Sequence, residues 1–178
     1  SHKFTYQPTY TTRINASQYG RTEYDGRKNK FEYHLSKDFY FFNSLIGLDY
    51  LKKNADMGGK LAKQSIYSIF SELKLKPNKK INLDLSGRRE YDENYGNFDT
   101  GRLQINYSFF GKNVLRASIG TGYRTPTPYE LYSQYGDTKL KPETSLTYDI
   151  GSEFNFNSSF NSIYIGLFET KVEDIITY

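Results

Sequence analysis

Cysteine and tryptophan are both absent from this chain, methionine occurs once and histidine twice. Without cysteine there is no disulfide framework and no thiolate metal site. No run approaches 18 consecutive apolar residues, so a membrane-spanning helix is excluded. A secretory leader is also missing, and the opening Ser1-His2 reads as the remnant of a removed tag, which accounts for that. Charge of one sign is scarce as well: the net +4 is spread along 178 residues. Lys76, Lys79 and Lys80 flank the Pro77-Asn78 turn as a solvated loop, and a nucleic-acid partner is not expected. What the chain does have is aromatic residues. With 18 Tyr and 13 Phe they make up 17% of a sequence that is only 37% hydrophobic. That balance suits strands that are apolar on one face only, as in a barrel with aromatic girdles and a polar interior. A tyrosine-rich soluble β-protein has the same composition.

Period-two alternation runs through the chain. Ile81, Leu83 and Leu85 alternate with Asn82, Asp84 and Ser86, and Leu103, Ile105 and Tyr107 with Gln104, Asn106 and Ser108. Leu115, Ala117 and Ile119 interleave with Arg116 and Ser118, and Phe31, Tyr33 and Leu35 with Glu32 and His34. Successive strand side chains point to opposite faces, so each segment has one apolar and one polar face. The pattern predicts nine strands, roughly 3–14, 27–35, 39–54, 63–76, 80–92, 98–110, 113–122, 145–156 and 160–177. Short turns are expected at Ser36-Lys37-Asp38, Pro77-Asn78-Lys79, Gly111-Lys112 and Asn157-Ser158-Ser159. Longer connections are expected at Ala16–Gly26, Ala55–Gly59, Glu93–Asn97 and Tyr123–Thr144. Short and long connections then alternate, putting turns on one rim and loops on the other, as in transmembrane barrels. The fold expected is all-β: an antiparallel up-and-down meander forming part of a transmembrane β-barrel wall. Closed bacterial barrels have even strand numbers, so nine imply an incomplete wall.

The most distinctive stretch is 114–154. Its strand ends Gly120-Thr121-Gly122-Tyr123-Arg124-Thr125-Pro126, followed by Glu130-Leu131-Tyr132, Tyr135-Gly136-Asp137 and Leu140-Lys141-Pro142-Glu143. A strand carrying Gly151 and Glu153 comes next. This ordered series resembles the barrel of TonB-dependent receptors, and within that family the vitamin B12 (cobalamin) transporters. The resemblance implies that residues 1–178 are a middle portion of a barrel of roughly 22 strands. The plug, the motif that engages the TonB-type energy-coupling protein, and the closing strands would lie outside it. It also implies a bacterial outer-membrane location, with lipid as a partner, and energy-coupled uptake of cobalamin first and a ferric siderophore or other metal chelate second.

Pro126, Pro128 and Pro142 limit regular pairing, so Tyr123–Thr144 reads as a surface loop. Tyr123, Tyr129, Tyr132 and Tyr135 offer stacking surfaces with hydroxyl handles, while Arg124, Glu130 and Asp137 add charge. These seven are the candidate cargo-facing residues. The same side chains also serve to hold a loop in shape. Asp92, Glu93 and Asp99 are carboxylates of the kind a calcium ion takes, although solvated loop residues look the same. His34 lies on the polar face of a strand, without the sequence spacing of a metal site. No cofactor is implied, and no Ser/His/Asp order points to an enzyme. The competing reading is a soluble secreted β-protein, an adhesin or carbohydrate-binding module, whose apolar faces would meet in a dry core between two sheets. An isolated wall is expected to associate through its unpaired strand edges.

Overall fold

Residues that alternate in polarity can satisfy a hydrogen-bonded ladder while keeping two unlike faces, and the backbone is built in that way throughout. The computed structural model describes residues 1–17, 20–57, 59–133, 135–156 and 161–177. It is a nine-stranded sheet in strict sequence order, every neighbouring pair antiparallel. The strands are β1 (His2–Ser17), β2 (Gly20–Asp38), β3 (Phe42–Met57), β4 (Leu61–Leu75), β5 (Ile81–Asp92), β6 (Gly96–Phe109), β7 (Asn113–Arg124), β8 (Glu143–Asn155) and β9 (Ser162–Glu173). One short helix, α1 (Pro128–Tyr132), interrupts the meander between β7 and β8. Among the described residues no helix is long and apolar enough to cross a membrane, which says nothing about strands.

Nine strands are found where nine were expected, but several are longer. The connection expected at Ala16–Gly26 is largely strand, since the β1–β2 ladder continues to Ser17↔Gly20. Likewise β3 reaches Met57, β4 starts at Leu61, and only three residues separate Asp92 from Gly96. Among the described residues only 125–142 form a long connection, so the expected contrast between rims reduces there to that one loop. The physical reason is visible in the far end of the first hairpin, where Thr12 opposes Asp25 and Arg13 opposes Tyr24. There both faces are polar, and backbone pairing persists without any alternation to announce it. The turn expected at Asn157-Ser158-Ser159 lies outside the described residues, as do Gly58 and Tyr178.

The two faces are inverted relative to a soluble protein. Leu48 and Ile69 are each 52% exposed, whereas Asp49 and Ser68, next to them in sequence and directed to the other face, are each 7% exposed. The apolar face is bare and the charged face is covered. On the bare face the apolar run comprises Phe31, Tyr33 and Leu35 in β2, Ile46, Leu48 and Tyr50 in β3, and Tyr67 and Ile69 in β4. In β5 and β6 it shifts along the strands to Ile81–Leu85 and Leu103–Tyr107, the stagger that tilted barrel strands require. A row of directly paired rings crosses five strands on this face: Tyr6, Phe31, Tyr50, Tyr67 and Tyr91. Successive ring centroids are 4.6, 6.2, 4.9 and 6.5 Å apart. A second aromatic group lies at the turn rim, where Phe39 stacks on Phe42 at 4.2 Å and Phe109 meets Phe110 and Phe154 edge-on.

Candidate functional site

The 125–142 loop is built from local capping chemistry. Thr127 is the N-cap of α1, its hydroxyl accepting from the Glu130 N–H at 3.2 Å, while Glu130 accepts from the Thr127 N–H at 2.6 Å. This reciprocal box, with Pro128 at the first helical position, sets one helical turn in a proline-rich stretch. Arg124, at the end of β7, then joins the loop to the sheet. It donates to both Glu130 oxygens at 2.8 and 3.0 Å and to both Glu143 oxygens at 2.8 and 2.9 Å. Glu143 also accepts from the Ile176 N–H at 2.7 Å, so the segment after β9 is fastened to the same hub. Burial alone would raise the Glu130 carboxyl, but the Thr127 N–H, Arg124 and the Thr127 hydroxyl outweigh it and hold it below the ordinary 4.5. The loop turns back at Gly136, where an added Cβ would lie 2.7 and 2.8 Å from the Leu131 backbone carbon and oxygen. The Asp137 N–H bonds the Glu130 carbonyl at 2.9 Å, and its carboxylate accepts from the Lys139 N–H at 2.8 Å.

The loop does not project away from the sheet. It folds inward over the charged face, so that α1 packs against β3, four strands from its own anchor. Gln64 of β4 ties it down, donating to Thr125 at 3.2 Å and to Asp92 at 2.5 Å while accepting from Lys53 at 3.1 Å. Asp92 is fully buried and also accepts from the Asn94 N–H at 2.9 Å. Beside it Tyr95, in the β5–β6 turn, has its hydroxyl pushed up by burial and by the negative charge of Asp92. The β6–β7 ladder stops at Arg102↔Gly120, and beyond it Tyr123 stacks on Phe98 at 4.1 Å and donates to Glu90.

The Tyr123–Glu90 bond joins this region to a charged network spanning β2 to β5. Arg88 donates to Asp49 at 2.9 Å, to Glu90 at 2.8 Å and to the Ser68 hydroxyl at 2.8 Å, and its guanidinium stands 5.2 Å from the Phe70 ring. Ser68 in turn donates to Glu90 at 2.8 Å. Glu32, His34 and Asp49 adjoin it, with His34 Nε2 at 3.7 Å from Asp49 Oδ1 and 4.0 Å from Glu32 Oε1.

Of the seven sequence candidates, Tyr123, Arg124, Glu130 and Asp137 are tied into the architecture of the loop and its anchor. Tyr132 is partly covered, while Tyr129 at 43% and Tyr135 at 78% exposure present ring surface outward. The three calcium candidates are not brought together. Asp92 is committed to Gln64 and Asn94, whereas Asp99 forms a two-pronged pair with Arg89 at 2.7 and 2.6 Å on the opposite face. Asp49 and Arg88 carry no signal of the site in the sequence, because only strand register brings Asp49 beside His34 and Arg88 within reach of Asp49.

A sheet with a bare apolar face, a covered charged face and an inward-folded loop is the wall of a membrane barrel. The sequence model of the TonB dependent receptor-like β-barrel matches residues 1–178. This chain belongs to that family. Among curated relatives, the vitamin B12 transporter BtuB of Vibrio vulnificus (strain YJ016) is 29% identical over 144 residues, covering 74% of this chain and 22% of that protein. BtuB of Photobacterium profundum is 35% identical over 66 residues, covering 36% of this chain and 11% of its own length. The siderophore receptor PirA of Pseudomonas aeruginosa superposes with a TM-score of 0.77 at 16% identity, covering 94% of this chain and 35% of that one. The copper transporter OprC gives 0.73 at 16% identity, with 87% and 31% covered. The TonB dependent receptor-like wall thus spans roughly a fifth of that Vibrio relative and a third of the solved barrels.

Proposed function

We propose that this chain forms part of the wall of a bacterial outer-membrane receptor that imports a scarce nutrient, cobalamin in the first place and a ferric siderophore in the second. The observation that carries the proposal is the inversion of faces: the bare apolar band with its aromatic row suits lipid, and the covered charged face suits an aqueous interior. A soluble adhesin or carbohydrate-binding module would need its apolar face packed on a second sheet, and among the described residues that face meets nothing. In this reading the cargo approaches from the loop rim. Tyr129, Tyr132 and Tyr135 provide stacking surfaces, held in place by Arg124, Glu130, Asp137 and the Tyr123–Glu90 bond. Transport would draw on a TonB-type energy-coupling protein acting through a plug inside the barrel. Cobalamin ranks first because the curated relatives are named for it; the solved barrels, named for siderophores and copper, support the fold.

The experiment is equilibrium binding of cobalamin to the full-length receptor in detergent, with a ferric siderophore as comparator. Saturable cobalamin binding, weakened about tenfold or more by Tyr135→Ala, is the expected result. A folded barrel that binds the siderophore and ignores cobalamin would move the cargo to the second choice and leave the wall reading intact.

A further inference from the structure

From the geometry of β2 and β3 we infer a binding site for a divalent first-row transition cation on the inner wall, formed by Glu32, His34 and Asp49. The site goes beyond the transport reading and does not depend on it, because strand register and side-chain burial within this sheet form it. Glu32 and His34 are two residues apart on β2 and share a face, and Asp49 of β3 is paired directly with Glu32. One ligand atom from each lies within 4.8 Å of the others. Asp49 is more than nine-tenths buried, and its Oδ1 has no hydrogen-bond partner; neither does the buried His34 Nε2 that faces it. Their separation of 3.7 Å is too long for a hydrogen bond. It is close to the spacing a cation imposes: bonds of about 2.0–2.2 Å in tetrahedral geometry place two donors about 3.4 Å apart.

The surroundings fix these donors from behind. Arg88 holds the other Asp49 oxygen at 2.9 Å, which turns Oδ1 toward His34. Phe70 meets the His34 ring edge-on at 5.3 Å, and Phe70 is itself seated over Gly47, where an added Cβ would collide with its ring. Lys30 occupies Glu32 Oε1 at 2.5 Å and has to yield for that oxygen to reach a metal, so Glu32 contributes least to affinity. Three carboxylates (Glu32, Asp49, Glu90) and three cations (Lys3, Lys30, Arg88) surround the site, so a bound cation takes the place of Lys30 at Glu32. One imidazole nitrogen with two carboxylate oxygens suits zinc, cobalt, nickel or iron(II), whereas calcium and magnesium prefer oxygen alone.

The test is titration of the full chain, refolded in detergent and stripped of metal, with zinc chloride by calorimetry and cobalt(II) chloride by visible absorption. One equivalent is expected to bind, with cobalt bands characteristic of mixed nitrogen and oxygen ligation that zinc displaces and calcium does not. His34→Gln and Asp49→Asn should each weaken zinc at least tenfold, Glu32→Gln less, and His2→Ala not at all. The chain has only two histidines, so the wild-type protein supplies a second readout. Zinc should shift the ring nitrogen resonances of His34 and leave those of His2 in place. Absence of saturable binding, binding lost with His2→Ala, or an unshifted His34 would overturn the site, whether or not the His34 and Asp49 variants fold.

Discussion

Gly47 shows how closely the inner face is fitted at single residues. The Phe70 ring occupies the place a β-carbon would take, whereas Gly87, on the outer face, has nothing within 4 Å. Gly47→Ala should therefore cost about 1–3 kcal/mol through overpacking, measured by urea unfolding in detergent micelles, while Gly87→Ala should stay within about 0.5 kcal/mol. Glu130 sets a pH limit at the same scale. Its carboxyl is held below the ordinary 4.5, so the folded loop favours the ionised form. That contribution is fully present above about pH 4.5 and is lost as the pH falls through the lowered value. Proteolysis by an acid-active protease should cut 125–142 more readily at pH 3 than at pH 5, and Glu130→Gln should remove most of the difference. An unchanged cutting rate would mean that the hub is held by Arg124 and Glu143 alone.

At the scale of the strand, the inverted faces make opposite demands on adjacent residues. Leu103 is 44% exposed on the apolar face, and Gln104 beside it points inward to Asn106. Leu103→Arg should cost about 2–4 kcal/mol in lipid vesicles, and Gln104→Lys much less, judged by refolding in urea gradients. Equal costs at the two positions would contradict the assignment of faces. This is also where the sequence is most readable. Leu103, Ile105 and Tyr107 alternate because one side meets an apolar surrounding, and the period ends where that surrounding ends. Thr12, Arg13 and Asp25 lie in a strand pair whose two faces are both polar, so the ladder there has no sequence signature and reads as a loop. The candidate site divides in the same way. Thr127, Pro128 and Glu130 carry a local capping signal, but the inward fold of α1 onto β3, and the meeting of His34 with Asp49, depend on register between strands.

For the whole molecule, β1 and β9 are the two edges of an open sheet, each paired on one side only. Along β9, Ile163, Ile165 and Leu167 are 53–75% exposed, beside an unpaired row of backbone groups. In isolation the 178-residue chain should associate through these edges, with a mass by light scattering above that of one copy at micromolar concentration. Proline substitution at Ile165 should shift the distribution toward single copies; a compact monomer at all concentrations would count against an open wall. The aromatic row has an optical consequence too. Tyr50, Tyr67 and Tyr91 stand in direct cross-strand pairs 4.9 and 6.5 Å apart, in a chain without tryptophan to mask them. Their near-ultraviolet transitions are close enough to couple, giving a signed circular-dichroism band that belongs to the correctly aligned β3–β4–β5 stack. A one-residue slip would send the rings to opposite faces and erase it, so the protein carries a built-in, label-free gauge of its own strand register.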